Sequence, residues 1–425
     1  MTPMTCHTMT PVTYSTNFGS VTVRCQESGR TVLAVSGVAG SGKSTLGLGL
    51  ATALRSPLLD LDTLTVPLLD RLHGTVLTEH WLASAHGSIV REGRYAALRA
   101  VAAEAVATAG SAVLVAPFTA ELTGGPEWDM LIGALAPVEL HMIYLRGSAE
   151  LFARRRANRA ASRDRHRPAE DRPISPAVPH IGIDAELNPA QQLFRALRAT
   201  GHRIPLDRDS PVFNRTYEAI LFDLDGVLAD STASVMRCWA RFSREHELAA
   251  AAVESNHGRT ARALVEQLVA ADRVEDGLRR IEALEVDDAA NVAPVPGARE
   301  LMSALPESRR AIATSGTRRI ATARLAAIGI APPRVLVTAD DIRRGKPDPE
   351  PYLRAAARLG KDPGRCLVIE DAPAGIAAAR AAGCGVVAVL GTAEPPELQG
   401  ADLVVDGLDR LKVALTENGL RLSPS

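Results

Sequence analysis

The sequence predicts an α/β protein built from two doubly wound parallel-sheet domains. Short apolar runs, typical of buried parallel strands, alternate with longer Ala-rich segments of helical character. The alternation begins near residue 30, stops near residue 200 and begins again at residue 217. A chain of 425 residues is long enough for two or three domains, each with its own core. We therefore predict a disordered tail at 1–28, a first domain at 29–200, a linker at 201–216 and a second domain at 217–425.

Composition argues against several classes of protein. The 48 basic and 49 acidic residues nearly cancel, so the chain lacks the basic excess of a nucleic-acid-binding protein. Five scattered cysteines do not form a disulfide framework, which fits a reducing cytosol. The sequence has no apolar run of membrane-spanning length, and its Thr-rich start lacks the apolar core of a signal peptide. We expect a cytoplasmic protein that binds small molecules, with no nucleic-acid or membrane partner, and leave its oligomeric state open.

The first domain contains five predicted strands with helices between them. The clearest helical segments are Arg94–Ala109 and the region around 190–199. An arginine-dense segment, Leu151–Arg172, precedes the last strand. The predicted strands are Thr31–Ser36, Pro57–Leu64, Ala112–Thr119, Val138–Leu145 and His180–Asp184.

A glycine-rich segment follows the first strand and opens a helix. It matches the pattern G-x-x-x-x-G-K-S in the strand-before, helix-after context that a phosphate-binding loop requires. Main-chain N–H groups of such a loop surround a triphosphate, while Lys43 would reach the outer phosphates and Ser44 would bind Mg²⁺. The segment therefore predicts a site for ATP or GTP. The predicted nucleotide-binding residues are Gly37, Gly40, Ser41, Gly42, Lys43, Ser44 and Thr45.

Residues 30–200 resemble the small P-loop phosphotransferases, in particular the gluconate kinase and nucleoside-monophosphate-kinase-like group. The resemblance implies that ATP is the phosphoryl donor and that Asp60 or Asp62 orients the acceptor hydroxyl or the metal. It also implies a lid in which one of Arg155, Arg156 and Arg159 neutralises charge in the transition state. The alternative is that these arginines lie on a solvated helix face. The third strand departs from the gluconate kinase pattern, which argues against gluconate as the acceptor.

The second domain begins with a buried strand at Ala219–Phe222 and continues with a helical insertion, at about 231–293, that we call the cap. In the cap, Val235, Trp239 and Phe242 recur at helical spacing and predict a core-facing stripe. A polar turn containing His257 and Arg259 interrupts its helices. Further strands are predicted at Arg310–Ala313, Val335–Val337, Cys366–Ile369, Gly385–Leu390 and Leu403–Val405.

Two carboxylates, Asp223 and Asp225, directly follow the first strand of this domain. Side chains two residues apart on an extended backbone point the same way, so both are expected to face one site. Crowded carboxylates repel each other unless a divalent cation or a phosphoryl group lies between them. The pair therefore predicts a metal and phosphate site, with an acidic turn as the alternative.

Reactive groups recur where later strands end. Thr314 and Ser315 follow one strand, and Glu370 and Asp371 follow another. Lys346 lies in a Gly-Lys-Pro loop, in a chain whose other lysines are Lys43, Lys361 and Lys412. Open parallel sheets bind their ligands at these strand ends, so the groups are expected to converge.

These motifs together resemble the haloacid dehalogenase superfamily of phosphohydrolases over about residues 217–415, with a small helical cap as in its sugar-phosphate and glycerol-phosphate phosphatases. The resemblance implies that Asp223 is the nucleophile and Asp225 the general acid and base. It implies that Asp223, the Asp225 carbonyl and Asp371 hold Mg²⁺ with support from Glu370. Lys346 with Thr314 or Ser315 would hold the phosphoryl oxygens. His257 and Arg259 would contact substrate, or would only form a turn.

The leading hypothesis is a bifunctional enzyme, with an ATP-dependent kinase of a sugar, polyol or nucleoside and a Mg²⁺-dependent phosphatase of a small phosphorylated metabolite. One alternative is a nucleic-acid end-repair kinase-phosphatase, which the cap and the balanced charge disfavour. Others are a phosphosugar mutase and a phosphatase regulated by a nucleotide-binding domain.

Overall fold

The computed structural model describes residues 30–73, 76, 87–159, 174–248 and 261–425. Within these ranges it contains one five-stranded and one six-stranded sheet, both fully parallel, which confirms the predicted α/β class. The predicted tail at 1–28, most of the arginine-dense segment after Arg159, and both His257 and Arg259 lie outside the described residues. Across the described ranges, the helices are too short or too polar to cross a membrane.

The first sheet has the order β2-β3-β1-β4-β5, so the strand that precedes the glycine loop is central. One apolar core lies on the face covered by α1 and α6, and another lies on the face covered by α3 and α4. Helices on both faces are the doubly wound arrangement. The strands are β1 Thr31–Ser36, β2 Leu58–Asp60, β3 Ser111–Val115, β4 Glu139–Arg146 and β5 Ile181–Asp184. The helices are α1 Lys43–Leu54, α2 Leu61–Leu72, α3 Gly87–Ala109, α4 Pro126–Leu135, α5 Ala149–Arg159 and α6 Pro189–Ala199.

The predicted second strand, Pro57–Leu64, is wrong in its second half. The strand ends at Asp60, and α2 starts at Leu61. The Asp60 carboxylate accepts hydrogen bonds from the N–H groups of Asp62 and Thr63, and so caps the new helix. Helix capping therefore stops the strand, although the apolar residues continue.

The second sheet has the order β11-β10-β7-β12-β13-β14, with β7 between β10 and β12. Alternate residues of β7 enter two cores, because Ile220 and Phe222 pack on one face and Ala219 and Leu221 on the other. The strands are β7 Ala219–Phe222, β10 Arg310–Ala313, β11 Leu336–Val337, β12 Cys366–Glu370, β13 Gly385–Val389 and β14 Leu403–Val405. The helices around this sheet are α10 Ala298–Ser303, α11 Arg318–Ala327, α12 Glu350–Leu359 and α13 Pro373–Ala381.

The cap contains α7 Thr232–Glu245, α8 Ala261–Leu268 and α9 Val274–Asp287. Its two connections to the sheet form a short antiparallel pair, β8 Ala229–Asp230 with β9 Ala293–Pro294. Trp239 and Phe242 are buried in a separate small core, with Val235 packed against it. The predicted core-facing stripe of the cap is therefore confirmed.

A three-stranded antiparallel sheet at the end of the chain is absent from the sequence prediction. It joins β15 Leu411–Thr416 and β16 Gly419–Pro424 to β6 Thr216–Tyr217. The predicted linker at 201–216 packs beside it, since Val212 and Phe213 share a core with Leu420 and Leu422 of β16. The Ser210 hydroxyl also donates to the Asp402 carbonyl at 2.8 Å.

Helix α6 of the first sheet contacts the second sheet and the start of the cap. Gln191 donates to the carbonyl of Thr392 at 2.8 Å. The Arg195 guanidinium donates to the Asp230 carboxylate, at 3.0 Å from Nε, and to the carbonyl of Gly391 at 2.8 Å. The two sheets are thus joined by hydrogen bonds that end close to the strand-end motifs of the second sheet.

Candidate active site

The predicted reactive groups of the second sheet converge at the carboxyl ends of neighbouring strands. Asp223 follows β7, Thr314 follows β10, and Glu370 is the last residue of β12. The N–H of Asp223 donates to the carbonyl of Ile369 at 2.9 Å, which holds the end of β7 beside the end of β12. Parallel pairing therefore brings together side chains that are nearly 150 residues apart in sequence.

Lys346 lies between two of these carboxylates. Its Nζ is 2.7 Å from Asp223 Oδ1 and 2.6 Å from Glu370 Oε1. Its side chain is only 6% exposed, so this is a buried ion-pair cluster and not a surface lysine. Together the buried carboxylates raise the pKa of Lys346 against the opposing effect of burial, and the ammonium stays charged.

Asp223, Glu370 and Asp371 form a buried acidic cluster in which one carboxylate oxygen of each residue lies within 4.8 Å of the other two. Burial and the neighbouring carboxylates raise the pKa of Asp223 to about 7, even with Lys346 beside it. The same two causes raise the pKa of Asp371 well above its usual range. Three carboxylates thus share one ammonium, and a hard divalent cation such as Mg²⁺ would offset the remaining repulsion. The donor set fits the Mg²⁺ predicted from sequence.

Glu370 is fully occupied by protein groups. Its Oε1 accepts from Lys346 and from the Tyr352 hydroxyl, and its Oε2 accepts from the N–H groups of Asp371 and Ala372. Burial would raise the pKa of Glu370, but Lys346 and these hydrogen bonds outweigh it and lower the pKa. Glu370 is thus an ionised carboxylate whose two oxygens both accept hydrogen bonds from the protein, which suits the supporting role predicted from the sequence.

Two glycines allow the carboxylates to approach the main chain. Gly226 has a φ of 77°, and a Cβ at this position would overlap the carboxylate of Asp371. A Cβ on Gly375, in the first turns of α13, would overlap the carboxylate of Glu370. Close packing around the acidic cluster therefore requires glycine at both positions.

Asp225 is not one of the three members of the acidic cluster, although it lies two residues from Asp223 and lines the same cavity. The strand ends at Phe222, and the chain then turns so that Asp225 forms a bridge with Ala229. The Asp225 Oδ1 accepts from the Ser231 hydroxyl at 2.6 Å and from Arg324 Nη1 at 2.6 Å. Asp225 still lines the same cavity as Asp223, at a different position. Its carbonyl is the group that the sequence predicted as a metal ligand.

Thr314 and Ser315 face different surroundings. Thr314 is buried, and its hydroxyl accepts the N–H of Gly316 at 3.1 Å. Ser315 lines the cavity next to Asp223. The geometry therefore favours Ser315 as the hydroxyl that can reach a ligand.

The cavity beside these groups has a volume of about 1580 Å³. The cap contributes Trp239 and Leu264, and the second sheet contributes its carboxylates and Lys346. The first sheet contributes Gly42, Thr45 and Arg155, so groups from both sheets line one space. A cavity of this size and position accommodates a small metabolite.

A second, smaller cleft of about 80 Å³ lies against the glycine loop. Lys43, Ser44, Thr45, Asp60 and Asp62 line it. The Ser44 hydroxyl donates to the Asp60 carboxylate at 3.0 Å. Asp62 is paired with Arg94 at 2.6 Å, a partner that the sequence argument did not identify.

The predicted lid arginines lie on α5. Arg156 donates to the carbonyl of Ala39 in the glycine loop at 3.1 Å, and Arg155 lines the large cavity. The backbone of Arg159 ends the helix, but its side chain lies outside the described part of the chain. The structure thus brings two of the three arginines near the loop or the cavity.

Two residues of the site were not identified from sequence. Arg324 on α11 and Glu285 on α9 form a buried ion pair at 2.8 Å beside Asp225. Nothing in their local sequence distinguishes them, because the chain is rich in arginine and glutamate is a common helix residue. Only their distance in space to Asp225 identifies them.

Comparison with known proteins agrees with this geometry. A family model of haloacid dehalogenase-like hydrolases matches residues 217–383. Hexitol phosphatase A of Escherichia coli (strain K12) is 39% identical over 208 residues, which cover 48% of this chain and 96% of that protein. The chain belongs to the haloacid dehalogenase-like hydrolases.

Other relatives of this haloacid dehalogenase-like hydrolase match the same half of the chain. Glycerol-1-phosphate phosphohydrolase 2 of Saccharomyces cerevisiae is 33% identical over 210 residues, covering 46% of this chain and 84% of that protein. Validoxylamine A 7'-phosphate phosphatase of Streptomyces hygroscopicus subsp. limoneus is 35% identical over 205 residues, covering 46% and 96% respectively. The resemblance predicted from the strand-end motifs is confirmed, and the second half of the chain is a phosphatase domain of this family.

Proposed function

We propose that the second domain, residues 217–425, hydrolyses the phosphate ester of a small sugar or polyol through an aspartyl-phosphate intermediate. The observation that carries the proposal is the buried cluster of Asp223, Lys346, Glu370 and Asp371 beside a large cavity. The names of the relatives, which include hexitol and glycerol-1-phosphate phosphatases, support this substrate class.

Asp223 is the nucleophile of the proposed reaction. One of its oxygens attacks phosphorus while the bond from phosphorus to the leaving oxygen breaks. Lys346, 2.7 Å from Asp223, stays charged and attracts the phosphoryl oxygens as they arrive, and the Ser315 hydroxyl donates a hydrogen bond to them. When bound by Asp223, Asp371 and the Asp225 carbonyl, Mg²⁺ would reduce the repulsion between the carboxylate and the phosphate.

Asp225 transfers the protons. It gives a proton to the leaving oxygen, so the sugar or polyol departs as a neutral alcohol. It then takes a proton from the water that attacks phosphorus of the aspartyl-phosphate, and inorganic phosphate leaves as Asp223 is restored. Its side chain is 29% exposed and lines the cavity, which suits a group that meets both alcohol and water.

A phosphate-release screen tests this proposal. The full chain is assayed with Mg²⁺ on phosphorylated hexitols, hexoses, glycerol and nucleosides, beside Asp223→Asn and the control Asp209→Asn, which changes an exposed carboxylate. We expect phosphate release from sugar or polyol phosphates, its loss in Asp223→Asn and no change in the control. Isomerised sugar phosphate without free phosphate would identify a mutase instead. Equal activity of Asp223→Asn and the unaltered chain would refute the proposal.

As a second function, we propose that residues 29–200 form an ATP-dependent kinase of a small hydroxylated metabolite, joined to the phosphatase by residues 201–216. The hydrogen bond from Ser44 to Asp60 at the glycine loop supports it, because this pair could hold the Mg²⁺ of a bound nucleotide. Asp60 or Asp62 would orient the acceptor, and Arg155, Arg156 or Arg159 would offset transition-state charge.

Nucleotide binding and consumption test the kinase separately. We expect Mg²⁺-dependent ATP binding that Lys43→Met weakens, and ADP formation that requires an acceptor from the sugar, polyol and nucleoside panel. ATP that changes the phosphatase rate without being consumed would instead support a regulatory domain. Phosphorylation of nucleic-acid ends would support the end-repair alternative.

A further inference from the structure

Arg324 connects the cap to Asp225. It lies on α11 of the second sheet, and its side chain is only 2% exposed. Its Nη1 donates to Asp225 Oδ1 at 2.6 Å, and its Nη2 donates to Glu285 Oε2 of the cap helix α9 at 2.8 Å. One guanidinium therefore bridges a carboxylate of the site and a carboxylate of the cap.

The geometry of the bridge restricts Asp225. A guanidinium is planar and presents its N–H groups in fixed directions. A movement of the group bound to Nη2 therefore also changes the direction in which Nη1 donates. Ser231 donates to the same oxygen of Asp225, also at 2.6 Å. Two donors on Oδ1 fix the rotation of the Asp225 carboxylate.

We propose that Arg324 is a positioning residue, which orients Asp225 for proton transfer only while Glu285 of the cap holds the other side of its guanidinium. This inference rests on the proposed phosphatase mechanism and adds a dependence of proton transfer on the cap. When an alkyl phosphate is cleaved, the leaving oxygen is strongly basic and must receive a proton from Asp225. When an aryl phosphate is cleaved, the phenolate is stable enough to leave without that proton. Disturbing the bridge should therefore slow alkyl phosphates and spare aryl phosphates.

A neighbouring contact between cap and sheet provides the control. Glu282, one turn before Glu285 on α9, accepts from Thr317 at 2.6 Å and from Arg319 at 3.0 Å. Arg319 is 67% exposed, and this contact holds the same cap helix without touching Asp225. Arg319→Met thus weakens the cap contact and leaves the bridge intact.

The experiment measures kcat/KM, which reports the transfer of the phosphoryl group to Asp223. Arg324→Lys, Arg324→Met, Glu285→Gln and Arg319→Met are compared in the full chain on glycerol 1-phosphate and on p-nitrophenyl phosphate, with melting curves to establish folding. For Arg324→Met we expect a fall of about 10²-fold on glycerol phosphate, the lower end of a general acid's contribution, with the aryl ester nearly unchanged. Glu285→Gln should show the same selectivity with a smaller fall, and Arg324→Lys should lie between Arg324→Met and the unaltered chain.

Equal losses on both esters would assign Arg324 a purely structural role and overturn the proposal. If the Arg324 variants do not fold, the inference is tested with Glu285→Gln alone. Equal falls of its kcat/KM on the two esters would then refute the inference. A selective loss in Arg319→Met would also refute it, since any cap contact would then suffice. Failure of the unaltered chain to release phosphate from every sugar and polyol phosphate tested would instead refute the proposed phosphatase itself.

Discussion

Replacing Lys346 by methionine should destabilise the protein, because it leaves a buried carboxylate cluster without its counter-charge. Lys346 is the only cation within hydrogen-bond distance of Asp223 in the described structure, and it also pairs with Glu370. Methionine has a similar length, so the change removes charge and hydrogen bonds with little change of volume.

The expected cost follows from the burial of both partners. Removing one member of a buried ion pair costs about 3–5 kcal/mol, because the remaining charge stays in a poorly solvated site. A domain of about 200 residues loses roughly 2–4 °C of melting temperature per kcal/mol. The melting temperature should therefore fall by about 6–20 °C.

Thermal melts of the full chain in EDTA measure this effect without a bound cation. Lys412→Met, on the exposed side of β15, is the matched control and should stay within about 0.5 kcal/mol of the unaltered chain. The double variant Lys346→Met with Glu370→Gln removes a charge of each sign and should recover part of the loss. A cost of Lys346→Met below about 1 kcal/mol, or no recovery in the double variant, would refute the reasoning.

Three further predictions concern the same domain. Gly375→Ala should lower stability by about 1–3 kcal/mol in urea melts, since its Cβ overlaps the Glu370 carboxylate, whereas Gly133→Ala in α4, with no atom near its Cβ, should not. Mg²⁺ at a hundred times its Kd should stabilise the unaltered chain by about 2.7 kcal/mol. Asp371→Asn should reduce this stabilisation, and an equal stabilisation of the variant and the unaltered chain would refute the metal site. Partial burial alone would raise the pKa of Asp341, but hydrogen bonds from Arg358 and Thr338 outweigh burial and lower this pKa from 3.8 to about 2. The ionised carboxylate therefore stabilises the fold above about pH 4 and loses this effect towards pH 2, so melts of Asp341→Asn and the unaltered chain should converge on acidification.

Local patterns predicted much of this protein. Buried strands such as Ala219–Phe222 and Cys366–Ile369 are short apolar runs, and burial on both faces of a parallel sheet requires that composition. The glycine loop and the strand-end motifs were recognisable because each needs particular residue types next to one another. The hairpin of β15 and β16 also had a signal, the dipeptide Asn418-Gly419 within an alternating segment, and the structure places its two turn residues at Glu417 and Asn418.

The sequence by itself determined most strands of the two parallel sheets, the glycine loop and the identity of the charged groups at the strand ends, because these depend on neighbouring residues. Only the tertiary structure decided that Asp225 accepts a hydrogen bond from Arg324, which lies 99 residues further along the chain. The ion pair of Asp62 with Arg94 was likewise decided by a contact in space, whereas the end of β2 at Asp60 follows from local helix capping. The orientation of a side chain depends on the partners that packing places beside it. When these partners are far away in sequence, no local sequence pattern predicts the contact.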